Sequence, residues 1–63
     1  MTLTAEEKER VIELLENMYD AQRAIVLATL DAFASWLMNV AHYIYQKIKN
    51  ALQSLWAWIK GQF

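Results

Sequence analysis

An all-α protein follows from three features of this sequence. A helix start is written at residues 4–7, no Pro occurs anywhere and the one Gly stands at position 61, and polar and apolar positions keep a helical phase along the chain. The reading is a single long amphipathic helix over about residues 5–60, packed in a homo-oligomer. A helical hairpin is the alternative.

The start comes first. Thr4-Ala5-Glu6-Glu7 has the form of a capping box, in which the Thr4 hydroxyl accepts from the Glu7 N–H and the Glu7 carboxylate reaches back. Acidic residues fill the first turns, where they favour the helix dipole. The end is set by Gly61 as C-cap, with Gln62 and Phe63 as a short tail. Turns between these points have two candidates, Asn17 to Asp20 and Lys49-Asn50, neither containing Gly or Pro.

Phase argues for continuity across both. At 100° per residue, Glu6, Glu9, Arg10, Glu13, Asn17 and Asp20 share one side with Asp31, Ser35, Asn39, His42, Gln46, Lys49, Gln53 and Lys60. An uninterrupted helix of this extent would be roughly 80 Å long. The underlying repeat is eleven residues: Glu9, Asp20, Asp31, His42 and Gln53 are all polar, and Leu15, Val26, Leu37, Ile48 and Ile59 are all aliphatic. A hendecad repeat in a continuous helix gives a straight or slightly right-handed seam.

Charge and composition divide the single element. Residues 1–23 are an acidic amphipathic part, with Glu6, Glu7, Glu9, Glu13, Glu16 and Asp20 against Lys8, Arg10 and Arg23. Residues 24–45 form an apolar middle, uncharged on every face from Ala24 to Leu30. Residues 46–63 are basic and Trp-rich. Acidic and basic ends suit antiparallel packing of copies as well as complementing the helix dipole. With 57% hydrophobic residues in 63 and no Cys, a disulfide framework is excluded and the apolar surplus needs covering. The expected assembly face is Leu15, Val26, Phe33, Trp36 and Leu37, continuing through Val40, Ile44, Ile48, Leu55 and Ile59.

The function expected from this is non-enzymatic: a structural, self-assembling subunit of a bundle, filament or coat, whose partner is itself. No signal-peptide pattern is present. A membrane-active helix that binds or oligomerises in a bilayer is the alternative. Ala24 to Tyr45 has about the length of a span, but an ionised Asp31 costs about 2.5–3.5 kcal/mol there. The polar stripe Asp31, Ser35, Asn39, His42 and Gln46 would then face water or line a pore. Trp56, Trp58 and Lys60, with Phe63 nearby, have the composition of an interfacial anchor. Nucleic acid is not an expected partner, because Lys47, Lys49 and Lys60 make a thin patch in a chain of net charge −1.

No metal set or nucleophile–base pair is expected, since His42 has no carboxylate, Cys or second His within a helical turn. No cofactor is expected either, with one remote exception. Thr2-Leu3-Thr4-Ala5-Glu6 and Val40-Ala41-His42 resemble the two ends of antenna β-polypeptides, which implies tetrapyrrole ligation by His42. The stretch between them is longer here by about three turns, and no Pro-Trp follows the His. The order acidic start, apolar middle and basic end also resembles filamentous-phage major coat proteins, which implies a single long helix packed around DNA.

Overall fold

A computed structural model describes residues 3–63. Five α-helices follow one another: α1 (Ala5–Glu16), α2 (Asp20–Ala28), α3 (Leu30–Val40), α4 (His42–Ile48) and α5 (Leu52–Lys60), with a 3-10 turn over Lys49–Ala51 between the last two. The all-α expectation holds. The single helix over residues 5–60 does not, and neither does a simple hairpin. The chain turns four times, and its longest dimension is 31 Å.

The two candidate turns are both used. The backbone leaves α1 at Asn17 and re-enters a helix at Asp20, and the 3-10 turn begins at Lys49. Two further breaks fall on single residues. Thr29 is extended (φ −136°, ψ 158°) and its hydroxyl accepts from the Ala32 N–H at 3.1 Å, so it N-caps α3. Ala41 (φ −149°, ψ 62°) separates α3 from α4 without a side-chain cap. Every described residue has negative φ, so ordinary L-residues make all these turns. The axes of α2 and α3 differ by 115° across Thr29.

The physical reason is burial. One straight helix leaves its whole apolar face in water until a partner arrives. Folding back lets the chain cover its own face, and each fully buried Leu, Ile or Phe contributes about 1.5–3 kcal/mol. A one-residue break forfeits only a few backbone hydrogen bonds, each with a net worth of about 1 kcal/mol, and Thr29 recovers one of them. Burial wins.

Helix α3 lies at the centre, against α2, α4 and α5. Its Phe33 and Leu37 are fully buried with Val11, Leu15 and Ile59; Ile44, Ile48, Leu55 and Leu3 complete the core. Trp36 packs against this core, its ring centroid 5.9 Å from that of Phe33.

The eleven-residue repeat survives with a different meaning. Asp20 and His42 open α2 and α4, while Asp31 and Gln53 are the second residues of α3 and α5. Leu15, Val26, Leu37, Ile48 and Ile59 each fall in the last third of a helix. From α2 onward the helix starts lie ten to twelve residues apart, so there the period follows a helix plus its turn rather than three turns of one rod. It still sorts inside from outside: the polar track is exposed throughout, and the aliphatic track is buried except for half-buried Val26.

The ends behave as follows. The capping box forms, with Glu7 N–H to Thr4 Oγ1 at 3.1 Å and Thr4 N–H to Glu7 Oε1 at 2.9 Å. Gly61 does cap α5, but with φ −72° rather than in the left-handed region. The acidic and basic ends meet within the chain, where Lys47 Nζ donates to Glu7 Oε1 and Oε2 at 2.8 and 3.0 Å.

Candidate interfacial site

Leu55 and Ile59 fix the inner face of α5 against the core. Trp56 and Trp58 are two residues apart, about 200° around the helix axis, so they take opposite flanks. Ala57 and Lys60 point outward between and below them. No carboxylate side chain follows Asp31 in the sequence, so α5 carries none.

Trp56 leans towards α2. Its indole N–H donates to the Leu27 carbonyl at 3.1 Å, one of the unpaired carbonyls in the last turn of that helix. Its ring carries the Lys60 ammonium, 3.8 Å from the centroid and one turn away. Trp58 leans towards α1 and remains 40% exposed, with Lys8 Nζ 5.2 Å from its centroid. The tail brings Phe63 over the Arg23 guanidinium at 4.8 Å. Lys47 lies 5.8 Å from the Tyr43 ring. Four of the six basic side chains thus sit over aromatic faces, within the roughly 6 Å at which a ring quadrupole attracts a cation.

Two of these cations also hold the fold. Arg23 Nε donates to the Leu15 carbonyl at 2.9 Å and Nη2 to the Met18 carbonyl at 3.2 Å, while Nη1 meets Asp20 at 3.0 Å. Its fork therefore closes the turn from α1 to α2. Lys47 pairs with Glu7, and both side chains are less than one-fifth exposed. The Lys47 ammonium, helped by the Thr4 N–H, holds the Glu7 carboxyl below its ordinary value, and the carboxylate in turn raises Lys47.

The other sequence-derived groups separate clearly. Of the expected assembly face, Leu15, Phe33, Leu37, Ile44, Ile48, Leu55 and Ile59 are buried inside one chain. Val26 and Trp36 are half-buried, and Val40 is exposed. The polar stripe Asp31, Ser35, Asn39, His42 and Gln46 is exposed at all five positions. Asn39 Nδ2 donates to the Ser35 carbonyl at 3.0 Å, and Gln46 Nε2 lies 3.1 Å from His42 Nε2. Among the described residues, no three His, Cys, Asp or Glu side chains converge as a metal-binding group.

The uncharged stretch Ala24 to Leu30 is not buried: α2 has no buried residue, and Ile25 is 69% exposed. Tyr19, just before α2, is 81% exposed. Among the described residues, no single helix is long and apolar enough to cross a membrane. The pair α2 and α3 is so by length and composition, but it is bent.

Sequence reading had grouped Trp56, Trp58, Lys60 and Phe63, which are close in the chain. It missed Lys8 and Arg23, whose ring partners lie on another helix and in the C-terminal tail and leave no local trace. In comparisons with known proteins, no family model, no curated protein and no solved structure matches this chain.

Proposed function

We propose that this protein is a non-enzymatic membrane-surface binder that docks in its folded form on anionic lipid, with α5 as the contact element. The observation that carries this reading is the set of cation–ring pairs around α5: Lys8 on Trp58, Lys60 on Trp56 and Arg23 on Phe63. An indole ring suits the boundary between headgroups and acyl chains because its body is apolar and its edge polar. An ammonium held beside it is positioned for lipid phosphate, and each such cation near an anionic surface contributes about 1 kcal/mol. A net charge of −1 gives no general attraction, so the local surface must supply it.

Self-association of copies is the second reading, favoured by exposed Tyr19 and Ile25 beside and on α2. The ten-residue face first expected to join copies is largely occupied in covering one chain's own core, so copies would meet elsewhere. A pore lined by Asp31, Asn39 and His42 would need a span, and among the described residues no single helix is long and apolar enough to supply one.

Co-sedimentation with vesicles of phosphatidylcholine alone, or with added phosphatidylglycerol, separates the readings. Binding should require the anionic lipid and weaken with salt. Trp58→Ala should weaken it about tenfold and Lys60→Gln about fivefold. Recovery of the protein in the supernatant under all lipid conditions, as a discrete multimer by analytical ultracentrifugation, would replace this reading with self-assembly.

A further inference from the structure

Beside Trp58 the structure has an open cleft of about 200 Å³ between the start of α1, the 3-10 turn and α5. Its walls are Leu3, Ile48, Leu55 and the Trp58 ring, and its polar lining consists of Lys8 and Ser54. An apolar cavity of about 150 Å³ is enough to hold benzene. We infer that this cleft binds the hydrocarbon chain of a single anionic amphiphile, such as a medium-chain carboxylate, with its head at Lys8. The inference goes beyond membrane docking: it concerns one molecule in solution and shares only Trp58 and Lys8 with the proposed lipid-facing surface.

Three observations define the occupant. The walls are aliphatic and aromatic, so the inserted part is hydrocarbon. A methylene occupies roughly the volume of a water molecule, about 30 Å³, so the cleft seats about six or seven of them. The charge at the cleft is positive. Of the two carboxylates flanking Lys8 in sequence, Glu7 is committed to Lys47, neither Glu7 nor Glu9 lines the cleft, and Lys8 has no carboxylate partner among the described residues. An anionic head therefore meets an ammonium that, among the described residues, rests on the Trp58 ring and on no carboxylate. A cationic head would meet repulsion.

The test uses octanoate, butanoate and octyltrimethylammonium with the whole chain, following the three indole N–H signals by NMR. Octanoate should bind saturably and shift Trp58 more than Trp36. Butanoate should bind at least tenfold more weakly, since each buried methylene is worth up to about fourfold. Octyltrimethylammonium should bind a few-fold more weakly than octanoate, and Lys8→Gln should erase that difference. Ala51→Leu and Ser54→Phe both line the cleft and should weaken octanoate binding while preserving the helical circular dichroism spectrum.

Failure of octanoate to saturate, or equal affinity in wild type and both filled variants, overturns the inference. Equal affinity for the two octyl compounds in wild type overturns the anionic assignment. Vesicle binding by the same proteins keeps the two ideas apart. Vesicle binding without octanoate binding removes only the cleft, and octanoate binding without vesicle binding removes only the membrane reading.

Discussion

Helices α1 and α2 are neighbours in sequence and opposites in how they are held. α1 is rich in charge, yet it buries Val11 and Leu15 completely, closes a capping box and reaches α4 through Glu7. α2 is richer in apolar residues and buries none of them completely. It is tied instead at its edges, by Arg23 to the end of α1 and by the Leu27 carbonyl to Trp56. Apolar content thus does not decide burial; the position of apolar residues relative to the centre of the bundle does. Two residues on the right stripe anchor α1. In α2 only Val26 and Leu27 pack against the core, both half-buried, and the other apolar residues are left on the surface.

The sharpest way to break this contrast is to truncate one side chain in each helix. Leu15→Ala should destabilise the protein by about 2–5 kcal/mol, enough to unfold much of so small a domain, whereas Val26→Ala should cost about 1 kcal/mol or less. Urea denaturation followed by circular dichroism measures both. Similar losses at the two positions would mean that α2 is as deeply embedded as α1.

Next in size is the tie between them. Arg23→Ala removes the Met18 carbonyl's side-chain donor and one of the two donors to the Leu15 carbonyl, which keeps the Met18 N–H, and should cost about 1–3 kcal/mol. Hydrogen exchange would locate the effect, which should appear first as faster exchange in α2.

The anchor of α1 should also depend on pH. Glu7 has a folded-state value below its ordinary one, so its contribution is complete above the ordinary carboxylate value and is lost as pH falls through the folded value. Lys47, raised by the same pairing, keeps its contribution up to the ordinary lysine value and loses it only as pH rises through the folded one. Thermal melts from about pH 6 to about pH 2 should therefore show a larger fall for wild type than for Glu7→Gln. Parallel curves would mean that the pair adds nothing to stability. The smallest effect belongs to the wet stripe: Asp31→Ala should change stability by no more than about 0.5 kcal/mol.

How much of this was legible depends on the range of each interaction. The capping box at Thr4 and Glu7 is written in four residues and forms as read. The sides of the helices were legible too, because Asp31, Ser35, Asn39, His42 and Gln46 are outside and Leu37, Ile48 and Ile59 inside. Continuity was not legible. A break at Thr29 or Ala41 requires no Gly or Pro, since it uses only negative φ, and its stability comes from core contacts distant in sequence. Nor could phase reveal it, because from α2 onward each helix plus its turn takes ten to twelve residues, close to the eleven that three turns of an unbroken helix would take. At the candidate interfacial site, the Trp residues and Lys60 could be grouped from sequence because they are close in the chain. Lys8 and Arg23 enter only through folding.

The Glu7–Lys47 pair has a kinetic side. Most packing joins elements adjacent in the chain, α2 with α3 and α3 with α4, and such local topologies cross their folding barrier quickly. A link spanning forty residues is different, because the intervening loop must be closed before the contact can form. We therefore expect it to form late, after α3 has gathered its neighbours. Interactions absent from the transition state leave the folding rate almost untouched and slow unfolding instead. On that expectation Glu7→Gln should speed unfolding in a stopped-flow experiment and leave folding nearly unchanged, making the pair a latch on the lifetime of the native state.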